Sequence, residues 1–507
     1  MNAGRHAYAS APFEWGSLDD PAHSRVGVVD VGSNSVRLVV YDGIARSPSY
    51  FYNEKVLCGL GEGIHETGVL NPTGRARALA ALHRFVALAR LMKLNGLQGV
   101  ATAAVREATD GPDFCAQVLA ETGLDLHVAT GVEEAELSAK GVLLGWPHAN
   151  GIVCDIGGAS MELARVDEGV IGTRKSSRLG PMQLANLGSD EAINAEISRL
   201  ITKLRKKLPD PVHNLFLVGG SWRAIARLDM ERREYPLHVL HEYHLTPEQI
   251  IETAKWATTK TPEDFASIVD ISSARLSLVP LAARVLAELV AVFEPEHVLI
   301  SSYGIREGML YNAMPKRLRR KDPLLEAARQ RERASARFPG FGERLFQWLK
   351  PLYAESSATE IRLVQAACYL HDITWRAHPD YRAEVCFESV TRANLSGLDH
   401  PGRVFLGLAI LHRYKSSAKQ HFDDALLNLL PPERQIEAAN LGKAMRLGAM
   451  LSGAVAAGLD ETDLTREGDT IRLTLSGAAR ELNGEAVERR VQALASSLGC
   501  AGEVVLQ

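Results

Sequence analysis

The stretch VVDVGSNSVRL at residues 28–38 decides the fold, because a turn of glycine and small polar residues joins two apolar strands there. The stretch VCDIGGASMEL at residues 153–163 repeats that order. Turns of this kind allow backbone N–H groups to close on an anion without interference from Cβ atoms. The two copies therefore predict two halves that face each other across one cleft for phosphate.

The length and the composition limit what the rest of the chain can be. At 507 residues the chain is too long for one hydrophobic core, and three or four domains are expected. Hydrophobic residues make up 46% and charged residues 23%, which is usual for a soluble globular protein. The formal net charge of −4 excludes a basic nucleic-acid binder, so any site for a polyanion must be a local patch.

Cellular location and membrane contact are predicted from three short features. The six cysteines form no CxxC pair, which indicates reduced thiols and a cytoplasmic protein. Residues 1–24 resemble no signal peptide and are predicted to form a flexible N-terminal tail. Arg284 and Glu288 interrupt the apolar run 278–293, so this run is predicted to be a core helix and no membrane contact is expected.

The first three fifths of the chain are predicted to form two α/β halves, residues 25–145 and residues 146–314. Each half alternates strands with helices, a pattern that favours mixed sheets. Strands are predicted at 26–31, 36–42, 98–103, 151–155, 160–166, 214–218 and 298–301, and helices at 74–93, 133–143, 189–207 and 274–292.

The remaining residues have a different character. Residues 341–455 have a helical pattern almost throughout. Two short strands, at 470–475 and 503–506, then flank a helix at 484–498. These patterns predict two further parts, a helical domain over 315–430 and a small α+β domain over 431–507.

A basic segment, residues 314–337, lies at the start of the helical region. It carries nine basic and three acidic side chains. It is either a solvated linker helix or a rail for a long polyanion.

Polar side chains in and beside the two turns are candidates for binding phosphate and a metal. Hydroxyl or amide groups that can add to the backbone donors belong to Ser33, Asn34, Ser35 and Ser160. The carboxylates of Asp30, Asp155 and Glu162 are hard oxygen ligands of the type that suits Mg2+. The sequence therefore predicts that anion and cation sites occur together.

The stretch TGVEEAE at residues 130–136 brings three acids to the start of a predicted helix. Acids at such positions often only complement the helix dipole. The segment lies between the two turns, where the halves should meet, so a carboxylate there could instead orient or deprotonate a water for in-line attack on phosphorus. Arg106, after a predicted strand, either clamps phosphate oxygens or pairs with a surface acid.

Two further motifs leave alternatives open. The stretch LVGGSWR at residues 217–223 is a third strand-to-glycine turn, where Gly220 and Ser221 would contact phosphate, cradle an adenosine as in a kinase, or belong to a glycine pair that only packs a helix. His371 and Asp372 form a doublet of the kind used by metal-dependent phosphohydrolases of the HD type, but no further histidine has a diagnostic spacing. The doublet is therefore predicted to mark a retained fold without a working metal centre.

These motifs resemble those of the exopolyphosphatase and guanosine pentaphosphate phosphohydrolase family, within the actin–sugar kinase–Hsp70 superfold. The resemblance covers residues 25–315 closely and the C-terminal region loosely. The motifs that carry it are DVGSNS at 30–35, LGEG at 60–63, TAAVR at 102–106, GVEEA at 131–135, DIGGASME at 155–162 and GIREG at 304–308. Ala159 is a departure, because members of the family commonly have glycine there and alanine restricts φ more strictly.

The resemblance implies a fold and a set of residue roles. Two actin-like halves would enclose a cleft, followed by an HD-like helical domain and the α+β unit. Glu134 would be the catalytic base, while Asp155 and Glu162 would manage the metal and the water. Arg106 would contact the reacting end, and Asp30 would complete the metal ligands. The phosphate-binding residues would be Gly32, Ser33, Asn34, Ser35, Gly157, Gly158, Ala159, Ser160, Gly220 and Ser221.

The resemblance also implies an activity. The expected enzyme is an exopolyphosphatase that removes terminal orthophosphate processively from inorganic polyphosphate, with Mg2+, or alternatively Mn2+, as cofactor. The alternative is hydrolysis of the 5′-phosphate of guanosine pentaphosphate at the same site, and a more remote one is a sugar kinase or ATPase. The HD-like domain would help to hold a long polymer and to form a homodimer. The basic segment would then bind the polymer.

Overall fold

The computed structural model describes residues 24–208, 211–415 and 424–507, so the predicted tail over 1–24 lies outside it except for Ser24. The chain divides into two units. The first comprises the described residues up to Glu234 and Leu240–Lys321, and the second comprises Tyr235–Val239 and Asp322–Gln507. This division falls a few residues after the predicted boundary at 314, and the finer five-part division stays a prediction.

The first sheet carries the first glycine-rich turn. Its strands are β1 (Val26–Val31), β2 (Ser35–Tyr41), β3 (Tyr50–Leu57), β4 (Gly96–Ala101) and β5 (Leu126–Val128). They lie in the order β3-β2-β1-β4-β5. Strand β1 is antiparallel to β2 and parallel to β4, and this register sets Asp30 directly opposite Arg37.

The second sheet carries the second turn. Its strands are β6 (Gly151–Ile156), β7 (Met161–Asp167), β8 (Val170–Ser177), β9 (Asn214–Val218), β10 (Tyr243–Leu245) and β11 (His297–Ile300). Strand β6 is antiparallel to β7 and parallel to β9, just as β1 is to β2 and β4. The order β8-β7-β6-β9-β11 thus repeats that of the first sheet, and the predicted α/β fold with mixed sheets is confirmed.

The helices of the first unit begin mostly at residues that favour helix starts. Helix α2 follows the side-chain cap Asn71 and has proline in its first turn. The helices are α1 (Ile64–Thr67), α2 (Pro72–Leu91), α3 (Ala103–Glu107), α4 (Gly111–Thr122), α5 (Gly131–Gly145), α6 (Pro181–Leu184), α7 (Asp190–Arg205), α8 (Gly220–Arg232), α9 (Pro247–Thr258), α10 (Pro262–Ala266), α11 (Ser273–Leu276), α12 (Val279–Phe293), α13 (Ile305–Ala313) and α14 (Lys316–Arg319). A short 3₁₀ helix follows α6 at Ala185–Leu187.

One helical run, Ser273–Phe293, is apolar and long enough to cross a membrane by length and composition. Half of its most apolar window is buried inside the structure. Helix α12, which forms most of the run, packs on α7 and α9. This placement agrees with the predicted core helix.

The second unit is mainly helical. Its helices are α15 (Pro323–Ser335), α16 (Phe341–Leu349), α17 (Ala358–Leu370), α18 (Arg382–Thr391), α19 (His400–Tyr414), α20 (Asp424–Leu427), α21 (Pro432–Leu451) and α22 (Glu485–Ser497), with 3₁₀ helices at Lys350–Tyr353, Ala456–Leu459 and Gly477–Leu482. Helix α19 packs between α18 and α21, and ten of its residues from Val404 to Arg413 are all buried. The unit therefore has an apolar core of its own.

A small sheet completes the second unit. Its strands are β12 (Thr462–Glu467), β13 (Thr470–Leu475) and β14 (Ala501–Leu506), in that order. Two strands were predicted here, and β12 is additional. Its sequence TDLTRE buries one apolar side chain, Leu464, so the strand has no apolar alternation to reveal it.

The basic segment uses several of its cations to hold local structure. Arg319 donates to the carbonyls of Asn312 and Met314 at 2.7 and 2.9 Å. In the second unit, Arg329 donates to the hydroxyl of Tyr369 at 2.7 Å, and Arg337 pairs with Asp372. Arg319, Arg329 and Arg337 are therefore not free to bind a long polyanion. The predicted binding of a polyanion is left to the remaining cations of the basic segment.

Candidate active site

The two glycine-rich turns face each other across one cavity. Gly32 donates its N–H to the carbonyl of Ser35 at 3.0 Å, and Gly157 makes the equivalent bond to Ser160 at 2.9 Å. A Cβ atom built on Gly158 would lie 3.9 Å from the Cβ of Ser33, which belongs to the other turn. Both turns line a cavity of about 760 Å³.

The glycines of the turns provide space rather than unusual backbone angles. None of the residues 32, 157, 158 and 159 has a positive φ. A Cβ atom on Gly158 would instead meet the Sδ atom of Met182 at 2.7 Å. Ala159 therefore fits the turn without strain.

Replacing Ala159 by glycine is expected to destabilise the protein by about 0.4–1 kcal/mol, because the unfolded chain gains conformational freedom that the turn does not need. Urea unfolding of the variant and of the parent measures the difference. A variant more stable than the parent would reveal strain at Ala159 and contradict the backbone angles described above.

The three acids of residues 130–136 have different surroundings. Glu133 caps helix α5, because its carboxylate accepts the N–H of Thr130 at 2.7 Å while the Thr130 hydroxyl accepts the N–H of Glu133. Glu136 pairs with Lys140 and Arg174. Glu134 is 5% exposed and is the member of the group that lines the cavity.

Arg106 lies behind Glu134 and holds it. Its Nη1 atom donates to Oε1 of Glu134 and to the carbonyl of Ala129. Arg106 is absent from the cavity wall formed by the described residues, so its first contact is with Glu134 rather than with a ligand. Burial raises the pKa of Glu134 to about 7, against the opposing pull of Arg106. A carboxylate with such a pKa is suited to accept a proton near neutral pH.

Asp155 and Glu162 stand opposite each other on β6 and β7. Ser138 donates its hydroxyl to Asp155, and Ser176 donates to Glu162 at 2.8 Å. Burial raises the pKa of both carboxyls, and repulsion from Glu134 and Asp155 raises that of Glu162 further. Repulsion of this kind favours a bound cation.

Asp30 completes the acidic side of the cavity, where burial raises its pKa as well. No group of three histidine, cysteine or acidic residues converges closely enough to hold a metal ion by itself within residues 24–208, 211–415 and 424–507. The carboxylates fit a hard cation whose remaining ligands are water and phosphate oxygens.

Six cations from the described part of the chain line the same cavity, and none of them was predicted from the sequence to bind a ligand. They are Arg37, Lys55, Arg223, Arg227, Arg275 and Arg306. We call the part of the wall that these cations form the basic side of the cavity. Arg37 on β2 pairs with Asp30 on β1 and with Lys55 on β3, so one row across the strands runs from the acidic side to the basic side. Strand alternation after the first turn was the available signal for Arg37, but the pairing with Lys55 depends on β3, which was not predicted.

The cations of the basic side lie close enough to one another to repel each other. Burial, together with repulsion from Arg306 and Arg223, lowers the pKa of Arg37 to about 10. Burial and repulsion from Arg275 and Arg37 lower the pKa of Lys55 to about 8. Cations that repel one another in a cleft favour a ligand with several negative charges.

Arg306 and Glu307 link the basic side to the protein core. Glu307 is fully buried and accepts hydrogen bonds from the hydroxyls of Tyr41 at 2.6 Å and Tyr50 at 3.1 Å and from the N–H of Gly304 at 2.8 Å. Arg306 is 9% exposed, its Nε atom lies 4.0 Å from Asp30, and its Nη1 atom has no partner among the described residues. This guanidinium therefore lies beside the carboxylate of Asp30 with one donor group unused within the described residues.

The third glycine turn lies on the cavity wall with Gly219 and Gly220. Gly219 has φ +111°, and a Cβ atom there would lie 2.8 Å from Asp155, so glycine is required. Gly220 lies against the guanidinium of Arg275. The predicted ligand-binding residue Ser221 is buried at the start of α8 and does not line the cavity.

Asn34 is also absent from the cavity wall. Its carbonyl accepts the N–H groups of Cys58 and Gly59 at 3.0 and 3.1 Å, so the residue anchors the end of β3. The remaining predicted phosphate-binding residues of the two turns, Gly32, Ser33, Ser35, Gly157, Gly158, Ala159 and Ser160, do line the cavity.

A second cavity of about 380 Å³ adjoins the first and shares Ser33, Ala103 and Ala159 with it. Its charged wall consists of Glu62, Glu66 and Glu107, with His65 beside them and no lysine or arginine from the described residues. We call this second cavity the vestibule. The two turns therefore lie between the basic side of the first cavity and the acidic vestibule.

Sequence profiles connect the chain with known proteins. The profile of the Ppx/GppA phosphatase family matches residues 39–317, and a profile described as the C-terminal part of exopolyphosphatase matches residues 324–505. The chain is 26% identical over 313 residues to exopolyphosphatase 2 of Mycobacterium tuberculosis, a match that covers 57% of this chain and 98% of that protein.

Two further proteins are similar to the chain. A guanosine-5′-triphosphate,3′-diphosphate pyrophosphatase of Aeromonas salmonicida is 23% identical over 362 residues, which covers 68% of this chain and 72% of that protein. The crystal structure of an exopolyphosphatase from Cytophaga hutchinsonii has the same fold, with a TM-score of 0.52 at 22% identity over 57% of this chain and 96% of that chain. Because the family profile spans more than half of the sequence, the chain belongs to the Ppx/GppA phosphatase family and is a hydrolase.

Proposed function

We propose that this phosphatase is an exopolyphosphatase that releases orthophosphate from the end of inorganic polyphosphate. The observation that carries the proposal is the sequence of charges along one cavity: two opposed glycine turns, a buried acid beside them, and six cations beyond. A terminal phosphate fits the turns, and the following phosphates fit the cations. Exopolyphosphatase 2 of Mycobacterium tuberculosis supports this assignment.

The reaction is an attack of water on the terminal phosphorus. Glu134 accepts a proton from the water while the water oxygen forms a bond to the terminal phosphorus. The bond between that phosphorus and the bridging oxygen breaks, and its electron pair stays on the bridging oxygen of the shortened chain. Arg106 keeps the Glu134 carboxylate in place. Turn N–H groups stabilise charge on the terminal phosphate, and Arg306 and its neighbours stabilise charge on the leaving chain.

We propose Mg2+, or alternatively Mn2+, as the cofactor, with Asp30, Asp155 and Glu162 on its side of the cavity. A divalent cation would offset the charge of the phosphate oxygens and of the three carboxylates. Its other ligands would be water and phosphate, since the described carboxylates do not form a closed set.

The charge difference between the two cavities supports cleavage at the chain end. A polyanion is attracted to the six cations and repelled by Glu62, Glu66 and Glu107 in the vestibule. The chain would therefore enter from the basic side and stop at the turns, so that its last phosphate is the one that reacts.

The second candidate substrate is guanosine pentaphosphate, which the Aeromonas relative makes worth testing. A nucleotide has fewer consecutive phosphates to occupy the basic side than a long polymer has. We expect kcat/KM to be higher for long-chain polyphosphate than for guanosine pentaphosphate in a competition assay. The opposite order would assign the nucleotide as the main substrate.

Arg275→Gln is expected to lower kcat/KM for long-chain polyphosphate about tenfold, mainly through KM, because one charge-assisted contact to the polymer is lost. Phosphate release measured over a range of polymer concentrations separates KM from kcat. Arg199→Gln, which changes an exposed residue on α7, is the matched control and should have no effect. An unchanged KM in Arg275→Gln would contradict the role of the basic side.

A further inference from the structure

The His371–Asp372 doublet of the second unit is surrounded by positive charge. Asp372 is 1% exposed and accepts two hydrogen bonds of 2.8 Å from the guanidinium of Arg337 and one of 3.3 Å from its backbone N–H, so this carboxylate already holds a guanidinium. The hydroxyl of Tyr414 also lies 3.3 Å from Asp372. A carboxylate with these partners is poorly placed to bind a metal ion.

Two more guanidinium groups lie beside the same tyrosine. Arg413 and Arg382 have their Cζ atoms 4.6 and 5.7 Å from the centre of the Tyr414 ring. Arg413 is 8% exposed, and its Nε atom is buried without a hydrogen-bond partner among the described residues. The Nε atom of Arg382 and the Nδ1 atom of His371 are also buried without a partner within the described ranges.

We call Arg337, Arg382, Arg413 and His371 the arginine cluster, and within the part of the chain that the structure describes it carries more positive than negative charge. Asp372 pairs directly with Arg337 and also acts on the charge of Arg413, and the carboxylate of Glu384 pairs with Lys415. Burial lowers the pKa of His371 to about 3, so the imidazole is neutral and can serve as a hydrogen-bond donor or acceptor. A buried cation without a partner is costly unless an anion completes the site.

We propose that the arginine cluster binds a phosphate group, either as free inorganic phosphate or as the end of a polyphosphate chain. Guanidinium groups bind phosphate oxygens through charge-assisted hydrogen bonds, and the Nε–H groups of Arg382 and Arg413, which have no partner within the described ranges, are available as donors, while Nη2 of Arg382 donates to the carbonyl of Ala377 at 3.3 Å. Arg413 contributes most, because it is the most buried of the three guanidinium groups and its Nε atom has no hydrogen-bond partner among the described residues. The site lies within the second unit and does not depend on the reaction proposed for the first.

The test is a calorimetric titration of the full chain that carries Glu134→Gln, a change that prevents turnover. With inorganic phosphate as the probe, we expect a binding site that Arg413→Met removes and that Arg382→Met weakens at least tenfold. Binding elsewhere in the chain should persist in both variants. Arg489→Met, at an exposed arginine of α22, is the matched control and should bind as the parent does.

Thermal unfolding supplies a second measurement in case a variant folds poorly. In phosphate-free buffer, Arg413→Met should unfold at the same or a higher temperature than the parent, because it removes a buried cation without a partner. In phosphate, the parent should gain stability that the variant does not gain. Equal phosphate binding and equal phosphate stabilisation in the parent and in both arginine variants would overturn the proposal.

The two sources of the phosphate group are separated by competition. If long-chain polyphosphate displaces inorganic phosphate from the arginine cluster, the polymer end is the ligand. If only inorganic phosphate binds, the ligand is the free ion. Either result supports the site, provided that Arg413→Met abolishes it.

Discussion

Replacing Glu134 by Gln is expected to lower the rate of phosphate release about 10³-fold, because the buried carboxylate that accepts the proton of water is lost. The amide keeps the size of the side chain, so binding of the polymer should change little. A phosphate-release assay gives the rate, and equilibrium binding of long-chain polyphosphate gives the affinity. Release within tenfold of the parent would contradict the role of Glu134.

Glu133→Gln is the matched control for this experiment. Glu133 is adjacent in sequence, but its carboxylate caps helix α5 rather than facing the cavity. Gln keeps the side-chain acceptor of the capping box and removes only the negative charge at the start of the helix, so the replacement should lower the free energy of unfolding by about 0.3–1 kcal/mol and leave the rate per folded molecule unchanged.

The same carboxyl sets the expected pH dependence. Burial raises the pKa of Glu134 to about 7, and only its ionised form accepts a proton, so kcat should rise with pH and be half-maximal near pH 7. For stability the sign is opposite, because folding raises this pKa above its ordinary value of 4.5. Its contribution to the free energy of unfolding is present below pH 4.5 and is lost as the pH rises through 7. Glu134→Gln should abolish both dependences.

Replacing Arg306 by Met is expected to lower the free energy of unfolding by about 3–5 kcal/mol, the usual cost of leaving a buried charge without its partner. Glu307 is fully buried beside Arg306, and Asp30 lies 4.0 Å from the guanidinium. Arg306 lowers the pKa of both carboxyls, which would otherwise carry their charges in an apolar environment. Urea unfolding with the parent as reference measures the loss.

A second substitution separates lost charge compensation from lost packing. Arg306→Met combined with Glu307→Gln should recover part of the stability, because the amide carries no charge and its oxygen can still accept the hydroxyls of Tyr41 and Tyr50, while the N–H of Gly304 loses its acceptor. Arg227→Met removes another cation from the cavity wall and should change stability by less than about 1 kcal/mol. A loss below 1 kcal/mol for Arg306→Met would contradict the described network.

The sequence predicted the elements whose chemistry is local. The turns at 32–35 and 157–160 were recognised because glycine and small polar residues follow apolar strands directly, and their facing positions follow from the repeated strand order. Strand β1 and strand β9 were predicted with their observed bounds. The edge strands β3 and β8 were not predicted, because neither has a fully buried residue and apolar alternation is therefore weak.

The basic side of the site could not be predicted for the same reason. Arg37 and Lys55 meet only because β2 and β3 pair in one register, and Arg275 reaches the cavity from a short helix far along the chain. Distances between such residues depend on tertiary structure rather than on spacing in the sequence. Asn34 and Ser221 show the converse, since both belong to recognised motifs and yet serve the backbone or the interior.

The most direct test is a crystal structure of Glu134→Gln with a methylene-bridged tripolyphosphate, which cannot be hydrolysed at its bridges. The terminal phosphate should lie between the two turns next to Gln at position 134, with the other phosphates toward Arg37 and Arg275. A chain bound through the vestibule of Glu62 and Glu107, or a terminal phosphate far from both turns, would contradict the account.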